Sequence, residues 1–290
     1  KIGKNTAIIL LTGIVLIDLI GISNRYIDRE MFVSPRQKKG LFQPRSGDQA
    51  ILQDDSRFRV FEPSLQLSGA RTSYFHSSLG GYHGAKPRRF EELFDYFSTH
   101  QIQGVMDMLN VKYLLFEEAS QQKVVDNPTA LGNAWTIDSL KVASSADDLL
   151  EQMKTLDFSN QALVLKNETP QNIPHRFNSD ATKEIYLISA KPTNLRYAFS
   201  ASEEQMVVFS EIYYPNGWYA EIDGKAVDHF PVNYVLRGML VPAGNHTINF
   251  RFEPQVINLG VNIRLIALLV FLMLVSSMVY DQIKKNPVQK

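Results

Sequence analysis

Thr72 to Arg89 reads TSYFHSSLGGYHGAKPRR, a stretch dense in Gly, Ser, Tyr, His and cationic groups. Such a loop offers many hydrogen bonds, and Lys86, Arg88 and Arg89 can meet an anion such as a phosphate. Tyr74, His76, Tyr82, His83, Lys86, Arg88 and Arg89 are therefore the candidate ligand-contacting residues. The same composition also suits a long ordered loop that packs two modules together with its cations solvated. A second stretch, Glu211–Lys225 (EIYYPNGWYAEIDGK), gathers Tyr213, Tyr214, Trp218 and Tyr219. Tyr214 and Trp218 are the candidate aromatic platform for a sugar ring, and core and turn packing is the competing use of such residues.

Other chemistry finds little support. The six histidines (His76, His83, His100, His175, His229 and His246) form no H-E-x-x-H or H-x3-H cluster, so no metal site is expected. There is no G-x-S-x-G elbow, Walker loop or G-x-G-x-x-G. The acid pairs Asp54-Asp55, Glu117-Glu118 and Asp147-Asp148 are neighbours in sequence, which suits solvated faces or helix caps better than a shared substrate atom. No catalytic residue and no cofactor is assigned. With 30 Lys+Arg against 30 Asp+Glu, the chain lacks the basic surplus that nucleic acid requires, and nucleic acid is excluded as a partner. Hydrophobic residues at 44% rule out wholesale disorder, and the absence of Cys rules out disulfides and thiolate chemistry.

Two apolar segments frame this material. Residues 6–22 (TAIILLTGIVLIDLIGI) are read as one transmembrane helix and residues 258–280 as another. A cleaved signal peptide is the alternative for the first, but no clear cleavage site follows and Asp18 interrupts the apolar run. Lys1 and Lys4 precede the first span, and Lys284, Lys285 and Lys290 follow the second. Both ends are thus expected in the cytoplasm, with residues 281–290 a cytoplasmic tail and the bulk of the chain on the far side. Asp18 is the intramembrane polar residue. An acid there costs on the order of 2.5–3.5 kcal/mol, so it is expected to face helices outside this chain or to lie near enough to the outer interface to stay wet.

Between the spans the fold class is α+β: a small α+β module followed by an antiparallel β-sandwich. Residues 26–56 read as a linker and residues 57–168 as the α+β extracytoplasmic module. In that module Arg88–Phe97 places Phe90, Leu93, Phe94 and Phe97 on one helical face behind Pro87. Ser145 caps a second helix, Ser145–Leu156, whose first turn carries Asp147 and Asp148. Strands are predicted at 57–62, 111–116, 134–142 and 161–165. Residues 180–254 read as the sandwich, with seven short strands at 184–190, 195–201, 205–213, 218–222, 226–230, 234–241 and 246–252 and a type I′ hairpin turn at Asp223-Gly224.

In this order the motifs resemble the C-terminal third of the YfhO-type bacterial membrane proteins. The resemblance rests on Tyr74-Phe75-His76 with Gly80-Gly81-Tyr82-His83-Gly84-Ala85-Lys86, then Met108-Leu109-Asn110-Val111-Lys112-Tyr113 and Ala130-Leu131-Gly132-Asn133-Ala134-Trp135. It continues through Tyr214-Pro215, Gly217-Trp218, Asp223-Gly224, Val241-Pro242-Ala243-Gly244-Asn245-His246 and Phe252-Glu253-Pro254. That family resembles polytopic glycosyltransferases of the GT-C class, which take a sugar from a polyprenyl-phosphate donor outside the bilayer. The resemblance implies a bacterial cytoplasmic (inner) membrane protein whose catalytic acids lie in an upstream transmembrane core that this chain lacks. It implies that core, the lipid bilayer and a polyprenyl-phosphate sugar or cell-envelope glycan as partners. The expected function is a cover over the catalytic core that contacts glycan acceptor or donor. A non-catalytic carbohydrate-binding or scaffold module is the alternative.

Overall fold

The computed structural model describes residues 3–27, 31–118, 121–171, 173–178 and 183–285. Lys1 and Lys290, used above to orient the ends, lie outside that set, as do residues 179–182 at the expected start of the sandwich. The chain divides into two units, Lys1–Gln49 and Ala50–Lys290.

The first unit carries α1 (Lys4–Tyr26), α2 (Pro35–Leu41) and most of α3 (Ser46–Ile51). Its helix α1 has 23 residues, about 35 Å at 1.5 Å per residue, and is apolar over most of its length. It is longer at both ends than the 6–22 read from the apolar run, because polar residues such as Asn24 and Arg25 continue a helix without being part of a span. Among its described residues, the stretch 26–56 expected as a linker carries two short helices, α2 and α3. A capping box nucleates α2: Ser34 Oγ accepts from the Gln37 backbone, Gln37 Oε1 accepts from the Ser34 backbone, and Pro35 opens the helix.

The second unit begins with β1 (Arg59–Phe61), α4 (Ala70–Phe75), α5 (Arg88–His100) and α6 (Gln103–Met108). It continues with β2 (Val111–Glu118), β3 (Gln121–Asp126), β4 (Ala134–Ile137), β5 (Ser139–Ala143), α7 (Ala146–Met153) and β6 (Gln161–Leu165). The strands of the sandwich follow as β7 (Glu184–Lys191), β8 (Asn194–Ala201), β9 (Gln205–Ile212), β10 (Trp218–Ile222) and β11 (Lys225–Val227). β12 (Phe230–Val232), β13 (Leu236–Val241) and β14 (Gly244–Phe252) complete it, and α8 (Gln255–Lys285) ends the described chain. α8 reaches beyond the 258–280 read as the second span at both ends, starting at Gln255 just after the sandwich and continuing to Lys285 in the expected tail.

Two sheets make the sandwich. One has five antiparallel strands in the order β11-β10-β14-β8-β7, the other four in the order β12-β13-β9-β4. Between them lie Tyr197, Phe199, Phe209, Met239, Ile248 and Phe250, all buried. The fourth strand of the second sheet, β4, comes from the stretch assigned above to the α+β module, where Trp135 lies opposite Val208. The 57–168 and 180–254 division therefore does not separate two independent cores. The four-stranded sheet is a shared wall: Val207 and Phe209 face the sandwich interior, whereas Met206 and Val208 face the helices and strands of the first module. A strand buried on both faces has no reason to alternate, which explains why β9 begins with the unbroken run Met206–Phe209.

Two expected strands are broken where the chain changes sheets. The 134–142 run divides at Asp138 into β4, in the sandwich wall, and β5, which pairs in parallel with β6 through the crossover helix α7. The 226–230 run divides at Asp228-His229 into β11 and β12, on opposite sheets. Ser145 caps α7 as expected, its hydroxyl accepting from the Asp148 backbone. The hairpin turn also forms, with Asp223 at φ 50° and Gly224 at φ 78° and Ile222 opposite Lys225.

Candidate functional site

The polar loop is two different structures in succession. Its first half is packed. Ser77–Leu79 runs beside β1, with Val60 N–H donating to the Ser77 carbonyl at 2.9 Å and Leu79 N–H to the Val60 carbonyl at 2.9 Å. A Cβ on Gly80 would stand 2.5 Å from the Gln66 carbonyl oxygen, so only glycine allows this approach. Tyr74 is exposed and edge-on to Phe75, and His76 is half-buried. The second half projects outward: Tyr82 is 83% exposed, His83 is exposed and Lys86 is half-buried.

The two arginines that close the loop are engaged in ion pairs. Arg88 Nε donates to Glu92 at 2.7 Å on the surface of α5. Arg89 forms a fork on Glu168 at 2.8 and 2.5 Å, and its guanidinium lies 5.4 Å over the Tyr234 ring. The Glu168 carboxylate raises the Arg89 pKa further. Tyr234 in turn donates to Glu92, and burial together with that carboxylate pushes its hydroxyl up to about 12. Arg89 thus fastens the α+β elements to the sandwich turn. Of the seven loop candidates, Tyr82, His83 and Lys86 make up the projecting second half of the loop, ahead of the two paired arginines.

The aromatic stretch leads to a groove of about 640 Å³ at the foot of the sandwich, beside the first turn of α8. Trp218, Tyr219, Glu221, His229, Arg251 and Asn258 are among the residues that line it. Trp218 faces inward against Phe252, with the Arg237 guanidinium 4.1 Å over its ring. Tyr214 is half-exposed but lies outside the groove lining. Tyr214 and Trp218 therefore do not form one platform within the groove. Tyr219 stands there instead, 43% exposed and directly across the ladder from Arg251.

Behind the groove is a buried polar cluster that sequence reading missed. Arg237 is 2% exposed, and its Nε donates to the Ile212 carbonyl at 3.1 Å. Burial pulls its pKa down to about 10, which leaves it charged at neutral pH. Arg57 pairs with Glu211 at 2.7 Å, and Arg59 donates to the Leu109 carbonyl and to Ser210. Burial raises the pKa of the Tyr197 hydroxyl, which has no hydrogen-bond partner. Burial, reinforced by Arg237, lowers His229 to about 4. The available signal was an arginine inside an apolar run, Val235-Leu236-Arg237-Gly238-Met239, where an unpaired charge is costly.

Asp54 and Asp148, from two of the adjacent acid pairs, do local work. Asp54 is held ionised chiefly by Lys112, with Ser56 and Tyr113 also donating to it. Asp148 accepts from Ser144 and Gln152 at the start of α7. Among the described residues, no three His, Asp or Glu side chains converge to hold a metal ion.

No curated protein and no solved structure matches the chain. Both terminal helices are long and apolar enough to cross a membrane, and no residue of either apolar window is buried in the fold, so neither is a core helix. Residues 148–264 match the family described as bacterial membrane protein YfhO. That stretch runs from within α7 through β6 and the sandwich strands β7 to β14 and into α8, and over those residues the chain is similar to this membrane-protein family.

Proposed function

We propose that the chain is the extracytoplasmic C-terminal region of a multi-span protein resembling polyprenyl-phosphate-sugar-dependent glycosyltransferases. In this reading it covers the outer face of a catalytic core supplied by upstream helices, in the bacterial cytoplasmic membrane. The observation that carries it is the continuity of the family match from the sandwich into the apolar helix. Only Glu253 and Pro254 separate β14 from α8, and Glu253 N–H donates to the Gly217 carbonyl at 2.7 Å. So short a connection holds the sandwich at the membrane surface, where a lipid-linked sugar would present its headgroup.

The group Tyr82, His83 and Lys86 is the part assigned to glycan or donor contact. Aromatic, imidazole and ammonium groups on an otherwise anchored loop are suited to sugar hydroxyls and a phosphate. In the protein with its complete transmembrane core, the Tyr82→Ala, His83→Ala, Lys86→Ala triple variant should keep its abundance in the membrane. Sugar transfer should fall about tenfold or more, the loss of roughly 1.4 kcal/mol of binding. Unchanged transfer at equal abundance refutes the reading.

A further inference from the structure

We propose that the groove between the five-stranded sheet and the first turn of α8 binds one neutral saccharide ring. This rests on the reading above, that the region meets glycan at the membrane, and it names a separate site and the ligand chemistry. The floor is built by strand register. Tyr219 on β10 lies directly opposite Arg251 on β14, and Glu221 follows two residues later on the same face. Arg251 is held between two carboxylates, Nη2 at 2.5 Å from Glu221 and Nη1 at 3.0 Å from Glu253. Its Nε is buried without a hydrogen-bond partner, and so is His229 Nε2 on the groove wall.

Three features select the ligand. An exposed tyrosine ring beside a fixed guanidinium gives a flat surface for the apolar face of a pyranose. The carboxylates of Glu221 and Glu253 keep free lone pairs for hydroxyl donors after meeting Arg251, and the Asn258 amide offers both a donor and an acceptor from α8. The charge balance then excludes an anion. Three lining carboxylates (Glu221, Asp228 and Glu253) face one guanidinium, and burial keeps His229 neutral at ordinary pH. A phosphate headgroup would be repelled, whereas an uncharged polyol would not. The volume of about 640 Å³ lies within the range of small-molecule sites.

The ring could belong to a glycolipid in the bilayer or to a soluble glycan, and the test separates them. The full chain in phosphatidylglycerol nanodiscs carries two tryptophans, of which Trp135 is buried in the core and Trp218 lines the groove. Tryptophan emission is followed while methyl glycosides of glucose, galactose and N-acetylglucosamine are titrated. A second set of nanodiscs contains glucosyl diacylglycerol. A saturable shift with a methyl glycoside supports the site for soluble glycan; a shift only with the glycolipid supports it for a lipid headgroup. In either case Tyr219→Ala and Glu221→Gln should weaken binding about tenfold with unchanged circular dichroism, while Tyr186→Ala, on the opposite sheet edge, should not. No shift in either arm, an equal shift in the groove variants, or a shift produced by inorganic phosphate overturns the proposal. Transfer by the Tyr82, His83 and Lys86 variant is a separate measurement. Sugar binding with unaltered transfer would leave the groove standing and remove the role of the loop.

Discussion

His229 shows how the fold sets the chemistry of one side chain. Its ring packs edge-on against Tyr213 at 5.5 Å and Phe250 at 5.4 Å, with Asp228 beside it and Arg237 behind. Burial is the main cause of a pKa near 4, against 6.5 for an ordinary histidine. A proton that binds the unfolded chain at pH 6 is thus refused by the folded one, so stability rises with pH between about 4 and 6.5 and falls on acidification through that window. After discounting for partial exposure, the effect should be of the order of 2 kcal/mol. Comparing thermal unfolding of wild type and His229→Gln at pH 7 and pH 4.5 isolates it. The wild type should lose more stability than the variant, and equal losses would show that His229 titrates normally. His246 carries the opposite sign. Asp223 Oδ2 lies 2.6 Å from its Nδ1 and raises its pKa, so that pair contributes below the unfolded pKa and is lost as pH rises through the folded one. Neither behaviour could be read from the histidines in sequence, because each depends on partners at least 16 residues away in one contact or another.

At the scale of elements, the contacts that matter most tie the α+β elements to the sandwich. Asn233, buried in the turn between β12 and β13, accepts from Leu163 N–H at 2.9 Å through its side chain and donates its own N–H to the Leu163 carbonyl at 2.8 Å. Its φ of 47° is one that asparagine tolerates better than alanine. Asn233→Ala would leave a buried N–H on β6 without an acceptor and strain the turn. A loss of about 2 kcal/mol is expected in chemical denaturation, and a change below about 0.5 kcal/mol would show that water takes over the bond. Elements with a local cause were legible in the sequence. Pro87 starts α5, Ser145 caps α7, Asp223-Gly224 turns the hairpin, and β6 and β10 lie where alternation or apolar runs put them. The sheet changes at Asp138 and at Asp228-His229 were not. Phe177 N–H and Lys183 both bind Asp138, and those partners are set by the folded chain.

At the scale of the molecule, the proposed topology can be tested with the native absence of cysteine. Ser159 is exposed in the turn before β6, so Ser159→Cys provides a single thiol on the folded region. In intact cells with the outer envelope permeabilised, a membrane-impermeant maleimide should label it fully. A cysteine appended after Lys290 should be labelled only after the cytoplasmic membrane is lysed. The reverse pattern would place the fold in the cytoplasm and remove the basis for glycan contact. The hydropathy of α1 and α8 is legible from composition because a bilayer selects on segment length and polarity alone.

By itself, the sequence determined the two apolar helices, the α+β class, the strand-rich second half and the local signals that start helices and close a hairpin. These follow from periodicity and from residues a few positions apart. Only the tertiary structure decided that β4 belongs to the sandwich, that β9 is buried on both faces, and that Arg237 lies under Trp218. It also decided that Arg89 is held by Glu168, and that Tyr219, Glu221, Arg251 and Asn258 share one groove. Those outcomes depend on pairing between strands and helices far apart in the chain, where register and burial assign each side chain its neighbours and no short-range pattern records the choice.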